Sequence, residues 1–428
     1  MTDIIEKKRD KHPLDDKELE FFVSGVTDKS IPDYQISALL MAILLNGMDR
    51  RETLTLTTLM AKSGDMLDLS DLSHTADKHS TGGVGDKTTL AVAPIAAALG
   101  CTVAKMSGRG LGFTGGTVDK LESITGYKTA LDTAEFKKIA REHGMCVTGQ
   151  SGNFAPADKR LYAIRDVTAT VNSIPLIASS IMSKKLAAGA ETIVLDVKFG
   201  SGAFMKTAED AEILAREMVE IGKGAGRKTA AVITDMDVPL GYAVGNALEV
   251  KEAVRVLKGE GEKNLTSLCI LLAAKMYQIS FDKTEEESIA AARRVTADGI
   301  AFKRLCAAVK AQGGNEKLLT GEHKFPAAAQ TELTAEKDGY ITAMNSETVG
   351  KAAVMTGAGR ERLGDGIDYS AGIILSKKYG DYVQKGERLA TLYGAPERLQ
   401  NARERLADAY SIGESKPSDK PIVYKVID

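Results

Sequence analysis

The sequence predicts an α/β protein of several domains: a small all-helical lobe, a large α/β lobe with a central mixed sheet, and a C-terminal β-rich α+β domain. Three observations carry this. Apolar residues recur at three- and four-residue spacing from Leu14 to Leu67. Short β-like runs then alternate with Ala-rich helical stretches to about Leu319, the pattern of a sheet covered by helices. Beyond Gly313-Gly314 and a polar stretch to about Thr334, the chain turns to short strands punctuated by glycine.

In the first segment Leu19, Phe22 and Val23, then Ile36, Leu39, Leu40, Ile43 and Leu44, form helical stripes with breaks at Gly25 and Gly47. Ser30 before Ile31-Pro32 reads as an N-cap. In the second, Thr102 to Ala104 and Thr192 to Val197 read as strands, and Leu90 to Leu99 and Ala208 to Gly222 as helices. The stretch Tyr162 to Gly189 reads as helix and is expected to pack back on the N-terminal helices. The expected division is a helical lobe at 1–70 completed by about 160–190, an α/β domain at 71–159 and 191–334, and a β-rich domain at 335–428.

Composition excludes several function classes. The 428 residues are 43% hydrophobic and 27% charged, values of a globular chain, with room for two or three domains of roughly 100 to 200 residues. With 56 Lys and Arg against 58 Asp and Glu, a net charge of -2 supplies no global field for nucleic acid or an anionic membrane. The charged start MTDIIEKKRD is not signal-like, and the apolar stretch Ile36 to Leu45 is far short of a membrane span, so a cytoplasmic protein is expected. Cys101, Cys146, Cys269 and Cys306 are widely separated, which predicts reduced thiols.

Much of the chemistry gathers in two glycine-rich segments. Asp77-Lys78-His79-Ser80-Thr81-Gly82-Gly83-Val84-Gly85-Asp86-Lys87-Thr88 combines closely spaced glycines with Lys, Ser and Thr, which suits an oxyanion held by backbone N–H groups and side-chain donors. It is not a Walker A loop, because Asp86 stands where glycine must precede Lys-Thr. The second segment, Lys105-Met106-Ser107-Gly108-Arg109-Gly110 through Gly115-Gly116-Thr117, contains a formal G-x-G-x-x-G. A dinucleotide site also needs an acid about 20 residues on, and Asp119 and Glu122 come too early. A third constellation runs from Arg160-Leu-Tyr162 through Arg165 to Ser180 and Lys184. Ser180 and Lys184 share a helix face, and Arg165, about four turns earlier, approaches it if the helix is continuous or kinked at Pro175. Spacing alone makes a salt-bridged helix surface the default for this third group.

Together the strings KHSTGGVGD, SGRGLGFTGGTVDKLESI and LYAIRDVTATVNSIPLIASSIMSKKLAAG resemble the pyrimidine-nucleoside phosphorylase and thymidine phosphorylase family, in family order and spacing over essentially the whole chain. The resemblance implies reversible phosphorolysis of a pyrimidine nucleoside to free base and ribose or deoxyribose 1-phosphate, with phosphate as co-substrate and no organic cofactor. It maps phosphate binding onto Lys78, His79, Ser80, Lys105, Ser107, Gly108, Arg109 and Thr117. It maps base contacts and catalysis onto His79, Arg165, Ser180 and Lys184, with His79 as proton donor to the base O2, Arg165 and Lys184 stabilising charge and Ser180 orienting. Tyr162 and Phe204 are expected to wall the base pocket.

Two departures stand out. Phe113 replaces a histidine common in the family, so lobe closure must use other contacts. The resemblance also implies a K⁺ site at Gly85, Lys87, Leu240, Ala243 and Glu252, but relatives usually carry Thr where this chain has Lys87. The expectation is that the Lys87 ammonium pairs with Glu252 and stands in for the ion. The resemblance further implies a homodimer through the helical lobe, to which the stripe Ile36 to Leu44 could contribute. The C-terminal GDYVQKGERLATL resembles a biotinyl or lipoyl carrier turn without the Met-Lys-Met expected of a biotin carrier, so a structural role is expected. The alternatives are a phosphoribosyltransferase of the same fold, an NAD-dependent dehydrogenase using Gly110, Gly112 and Gly115, and a non-catalytic sensor.

Overall fold

Four helices open the chain: α1 (Thr2–Arg9), α2 (Asp16–Thr27), α3 (Asp33–Asn46) and α4 (Arg50–Lys62). Asp15 and Asp49 start α2 and α4 with capping boxes, each accepting the N–H three residues on while Glu18 or Glu52 accepts the cap's own N–H. Buried Glu52 also takes Lys8 Nζ at 2.8 Å and the Leu14 N–H at 2.7 Å, which ties α1 to α4. Two local expectations are corrected. Pro32, not Ser30, is the α3 N-cap. Gly25 lies inside α2, where a Cβ would stand 2.4 Å from Ile31 Cδ1, so this glycine serves close packing and not a break.

The structure is a computed structural model describing residues 1–110, 112–113, 115–150, 153–326, 328–362 and 364–428. After the first helices come β1 (Ala76–Ser80), α5 (Thr88–Ala98), β2 (Val103–Ser107), α6 (Thr117–Glu122), α7 (Thr133–His143) and β3 (Met145–Gly149). The chain then makes α8 (Pro156–Val167) and α9 (Ile174–Ala187) before β4 (Thr192–Phe199), α10 (Ala208–Gly224), β5 (Lys228–Asp235) and β6 (Ala243–Val244). A helical run follows: α11 (Asn246–Leu257), α12 (Lys263–Phe281), α13 (Glu285–Ala297), α14 (Ile300–Ala311) and α15 (Lys317–Thr320). The remainder holds β7 (Ala329–Thr334), β8 (Gly339–Met344), α16 (Ser346–Ala353), β9 (Gly372–Leu375), β10 (Tyr382–Val383), β11 (Arg388–Gly394), α17 (Pro396–Ala407), β12 (Tyr410–Gly413) and β13 (Val423–Ile427).

The central sheet has the order β1-β4-β5-β13. The first three strands are parallel and β13 is antiparallel, so the sheet is mixed. A parallel β2-β3 pair continues it through a bridge between Thr75 and Thr102. This arrangement gathers the carboxyl ends of β1, β2 and β4 at one edge, where ligands bind in open α/β sheets.

The stretch Tyr162 to Gly189 is not one helix. It divides into α8 and α9 around residues 168–173, because Pro175 sits in the first turn of a new helix. Leu161 and Ile164 of α8 and Leu176 of α9 join Leu19, Phe22, Ile36 and Leu40 in the core of the helical lobe. Ile177, Ala178 and Met182 of α9 belong instead to the core under β4, β5 and α10. One helix thus spans two cores, each fully buried aliphatic contributing ~1.5–3 kcal/mol.

The boundary expected at 335 is corrected at three strands. β7 pairs with β11, so the C-terminal domain begins before Ala335; β6 joins its sheet through β9; and β13 leaves the domain for β5. Two sheets, β10-β8-β12 and β6-β9-β11-β7, pack with α16 and α17 around Ile341, Val349, Ile373, Leu392 and Leu406. Lys385 lies in the exposed β10–β11 turn, its N–H donated to Asp338. The described helices include none long and apolar enough to cross a membrane.

Candidate active site

Strand β1 sends successive side chains to opposite faces of the sheet, so Asp77 and His79 point one way and Lys78 and Ser80 the other. Two charge clusters follow from this alternation. On the Lys78 face, Lys78 Nζ donates to Thr88 Oγ1 at 2.5 Å and lies 3.1 Å from Asp196 Oδ2, whose other ammonium neighbour is Lys198 at 2.9 Å. Asp86 completes the cluster by accepting from Ser80 Oγ at 2.5 Å and Thr88 Oγ1 at 2.6 Å. Burial alone would raise the Asp86 carboxyl, but Lys78, Lys198 and Lys120 outweigh it and hold the group well below the usual carboxylate range.

On the opposite face, Asp77 sits between two ammonium groups, Lys105 Nζ at 3.0 Å and Lys185 Nζ at 2.7 Å. Burial opposes its ionisation, and the two lysines overcome this and keep it far below the usual range. Burial pulls Lys105 down to about 8 despite Asp77 beside it. His79 is half-buried, and desolvation together with Lys185 and Lys105 pushes it well below its ordinary value. That favours the neutral imidazole, which offers one N–H.

Lys185 belongs to α9, so its bond to Asp77 clamps that helix against β1. The same helix presents Ser180 and Lys184, with Lys184 Nζ 3.1 Å from Ser180 Oγ and hydrogen-bonded to Asp158 of α8. Arg165, 2% exposed, donates to the carbonyls of Thr170 at 3.2 Å, Val171 at 2.7 Å and Leu176 at 3.0 Å. Three of its five N–H donors thus pin the α8–α9 connection. A continuous helix does not join Arg165 to α9, which carries Ser180; this pinned turn does, through the Leu176 carbonyl.

The second glycine segment follows β2. Ser107 is half-buried at the strand end, Gly108 is exposed and Thr117 opens α6. Arg109 is turned elsewhere: its guanidinium makes a bidentate pair with Glu122 at 2.6 and 2.7 Å and reaches Asp119 at 3.2 Å. Those acids, too early for a dinucleotide ribose, anchor the loop through Arg109, Arg360 and the Gly110 N–H. Phe113 packs against the core of the C-terminal domain, its carbonyl close to Gly350 of α16. Tyr162 and Phe204 are 38% and 43% exposed, which removes core packing as their explanation.

Near these loops Lys87 Nζ lies 2.7 Å from the Leu240 carbonyl, 2.8 Å from that of Ala243 and 2.6 Å from Glu252 Oε2. Among the described residues no group of three or more His, Cys, Asp or Glu side chains is placed to hold a metal ion.

Comparison with known proteins agrees with this layout segment by segment. Residues 2–64 match the glycosyl transferase family helical bundle domain, residues 72–302 the glycosyl transferase family a/b domain, and residues 340–413 the pyrimidine nucleoside phosphorylase C-terminal domain. Pyrimidine-nucleoside phosphorylases of Staphylococcus epidermidis and Staphylococcus aureus are each 50% identical, over 100% of this chain and 99% of the relative. The chain belongs to the pyrimidine-nucleoside phosphorylase family. The anthranilate phosphoribosyltransferase of Thermus thermophilus shares the fold, with a TM-score of 0.60, 21% identity, and coverage of 72% of this chain and 99% of that one.

Within the pyrimidine-nucleoside phosphorylase frame, the expected residues divide by what their side chains already hold. Lys78 and Ser80 lie with Asp86 on one face of β1, Lys105 lies with Asp77 on the other, and Ser180 and Lys184 stand on α9 beside Asp158, whereas Arg109 is spent on Glu122. Sequence reasoning assigned no role to Asp77, Asp158, Lys185, Asp196 or Lys198. The signal available was local: Asp77 and Lys185 lie beside motif residues, and Asp196 interrupts the apolar run of β4.

Proposed function

We propose that the chain catalyses reversible phosphorolysis of pyrimidine nucleosides, uridine, thymidine and deoxyuridine among them, to free base and the pentose 1-phosphate. What supports this most directly is the Lys185–Asp77 bond, which ties α9, the helix that carries Ser180 and Lys184, to the strand that leads into the first glycine loop. The 50% identity to proteins named for this activity agrees with it.

In this reading phosphate is taken at the carboxyl ends of β1 and β2 by Ser80, Ser107, Thr117 and the Gly108 N–H, with the Lys78 and Lys105 ammonium groups supplying positive charge from the two faces of β1. A phosphate oxygen attacks the sugar C1′ as the bond to the base breaks, and the electron pair leaves with the base. Lys184 faces the charge that develops on the base, Ser180 orients it, and neutral His79 donates an N–H to O2. Arg165 contributes through the turn it pins and through its two remaining donors. Tyr162 and Phe204 wall the pocket. Placing donors on two lobes makes lobe closure the step that assembles the site.

The same reading includes a homodimer in the cytoplasm. The stripe Ile36, Leu39, Leu40 and Ile43 is no part of its surface, since these side chains are at most 1% exposed inside the lobe. The opposite face of α3 presents Tyr34, Met41 and Leu45 to solvent. Leu45→Glu is expected to shift the particle mass in solution from dimer to monomer; an unchanged dimer removes this face from the interface. Four free cysteines suit a reducing compartment.

The activity is tested by release of base from uridine, thymidine and deoxyuridine with and without phosphate. Phosphate-dependent release of at least one base is expected. Release that ignores phosphate, or none with any of the three, overturns the reading.

A further inference from the structure

The cation site that the family resemblance implies does not fit an ion in this chain. Its oxygen set is present: the Leu240 carbonyl, the Ala243 carbonyl and the Glu252 carboxylate converge within 2.6–2.8 Å of one point, and that point is Lys87 Nζ. An alkylammonium has three N–H donors, and these three acceptors use all of them. The group is 0% exposed, and a second cation beside it would meet an unscreened like charge.

The surroundings are shaped for the ammonium. Gly85 has φ +70°, and a Cβ there would stand 2.7 Å from the Leu240 carbonyl and 3.3 Å from Lys87 Nζ, so this glycine supplies room. Its own carbonyl is taken by the Lys87 N–H at 2.9 Å. The Tyr242 and Ala243 N–H groups donate to Glu252 at 2.7 and 2.9 Å, which orients the carboxylate toward Lys87. Burial alone would raise the Glu252 carboxyl, and Lys87 with these two N–H groups holds it below the ordinary value.

We propose that the Lys87 ammonium is a covalently attached replacement for a bound monovalent cation, so that this chain works without K⁺. The ammonium clips three segments together: the first glycine loop, the strand entry at residues 240–243, and α11. A carbonyl ring selects K⁺ by replacing its hydration shell, and here a tethered donor satisfies the same oxygens at any salt composition. Its consequence for turnover rests on the phosphorolysis reading, because the clipped loop carries Asp86 and Thr88; its consequence for stability does not.

The test compares full-length enzyme in choline chloride, NaCl and KCl at one ionic strength, reading Tm and phosphorolysis separately. Wild type is expected to keep both unchanged across the three salts. Lys87→Thr removes the tethered charge and opens its place, so its Tm is expected to rise saturably with KCl and not with choline. Crystals of Lys87→Thr grown with Rb⁺ are expected to show anomalous density among the Leu240, Ala243 and Glu252 oxygens. A wild-type Tm that rises saturably with K⁺, or a folded Lys87→Thr with no response to any monovalent cation, overturns the inference. If Lys87→Thr does not fold, the wild-type comparison decides alone. Absent turnover with a salt-independent wild-type Tm would sink the phosphorolysis reading and leave the ammonium site standing.

Discussion

Lys185 Nζ lies 2.7 Å from Asp77 Oδ2, both side chains buried, and this contact joins helix α9 to strand β1 across 108 residues of sequence. Asp77 keeps Lys105 Nζ at 3.0 Å, so Lys185→Met removes one charge-assisted bond and is expected to lower unfolding stability by about 1.5–3 kcal/mol, and kcat/KM along with it, because α9, which carries Ser180 and Lys184, loses its tie to β1. Denaturant unfolding combined with steady-state rates checks this; a stable variant with normal kcat/KM would show that the clamp does not position α9.

Lys184 and Asp158 separate a reacting charge from its holder. Lys184→Ala is expected to reduce kcat by roughly 10²-fold, the scale for loss of one stabilising donor. Its Tm should fall as well, because the Asp158 carboxylate, 7% exposed, loses its ammonium partner, so kcat is read on the folded variant. Asp158→Asn keeps the lysine but loosens it, and a smaller fall, about tenfold, is expected from misplacement of a preserved group. Equal losses in the two variants would mean that Asp158 acts on the substrate directly.

The pH dependence has two opposing parts. Phosphate capture by the free enzyme needs the Lys105 ammonium, so kcat/KM for phosphate is expected to fall as pH rises through about 8. Stability changes the other way there. Burying the charged form costs stability below pH 8, and that cost is relieved toward 10.5, because the folded chain sheds the proton before the unfolded one does. His79 acts at the acid side: held below 6.5 in the fold, it binds a proton more readily when unfolded, and stability is lost as pH falls below 6.5. Lys105→Arg should carry the alkaline limb of kcat/KM upward; a limb that stays in place assigns it to another group.

Arg165 holds three carbonyls that no single ammonium can reach in that fork. Arg165→Lys is expected to destabilise the chain by about 1–3 kcal/mol and to open residues 168–173 to protease. Protection of that turn at the wild-type level in the variant would remove the pinning role.

The parts of the fold that could be read from the chain are those whose cause is local. β4 and α10 follow from apolar runs and Ala-rich periodicity, and β8 coincides with GYITAM because glycine and asparagine bracket it. The error at residues 168–173 has a local cause too: Val171, Ile174 and Leu176 continue an apolar pattern through what is a turn, and only Arg165 folding back reveals it. Partners far apart in sequence leave no such trace. Glu52 with Lys8, Asp77 with Lys105 and Lys185, and Asp158 with Lys184 are each ordinary charged residues until topology brings them together. The motif residues proposed for the site could be named from the chain, whereas the carboxylates that pair with them could not.

Strand β13 pairs with β5 although Val423 lies 188 residues after Asp235, and the intervening chain includes the whole C-terminal domain. The α/β sheet thus has a free hydrogen-bonding edge at β5 until everything between has been made and placed. An unpaired edge is a template for association with other chains, and its closure over so long a loop is slow. The C-terminal domain is thereby the spacer that delivers the sheet's closing strand.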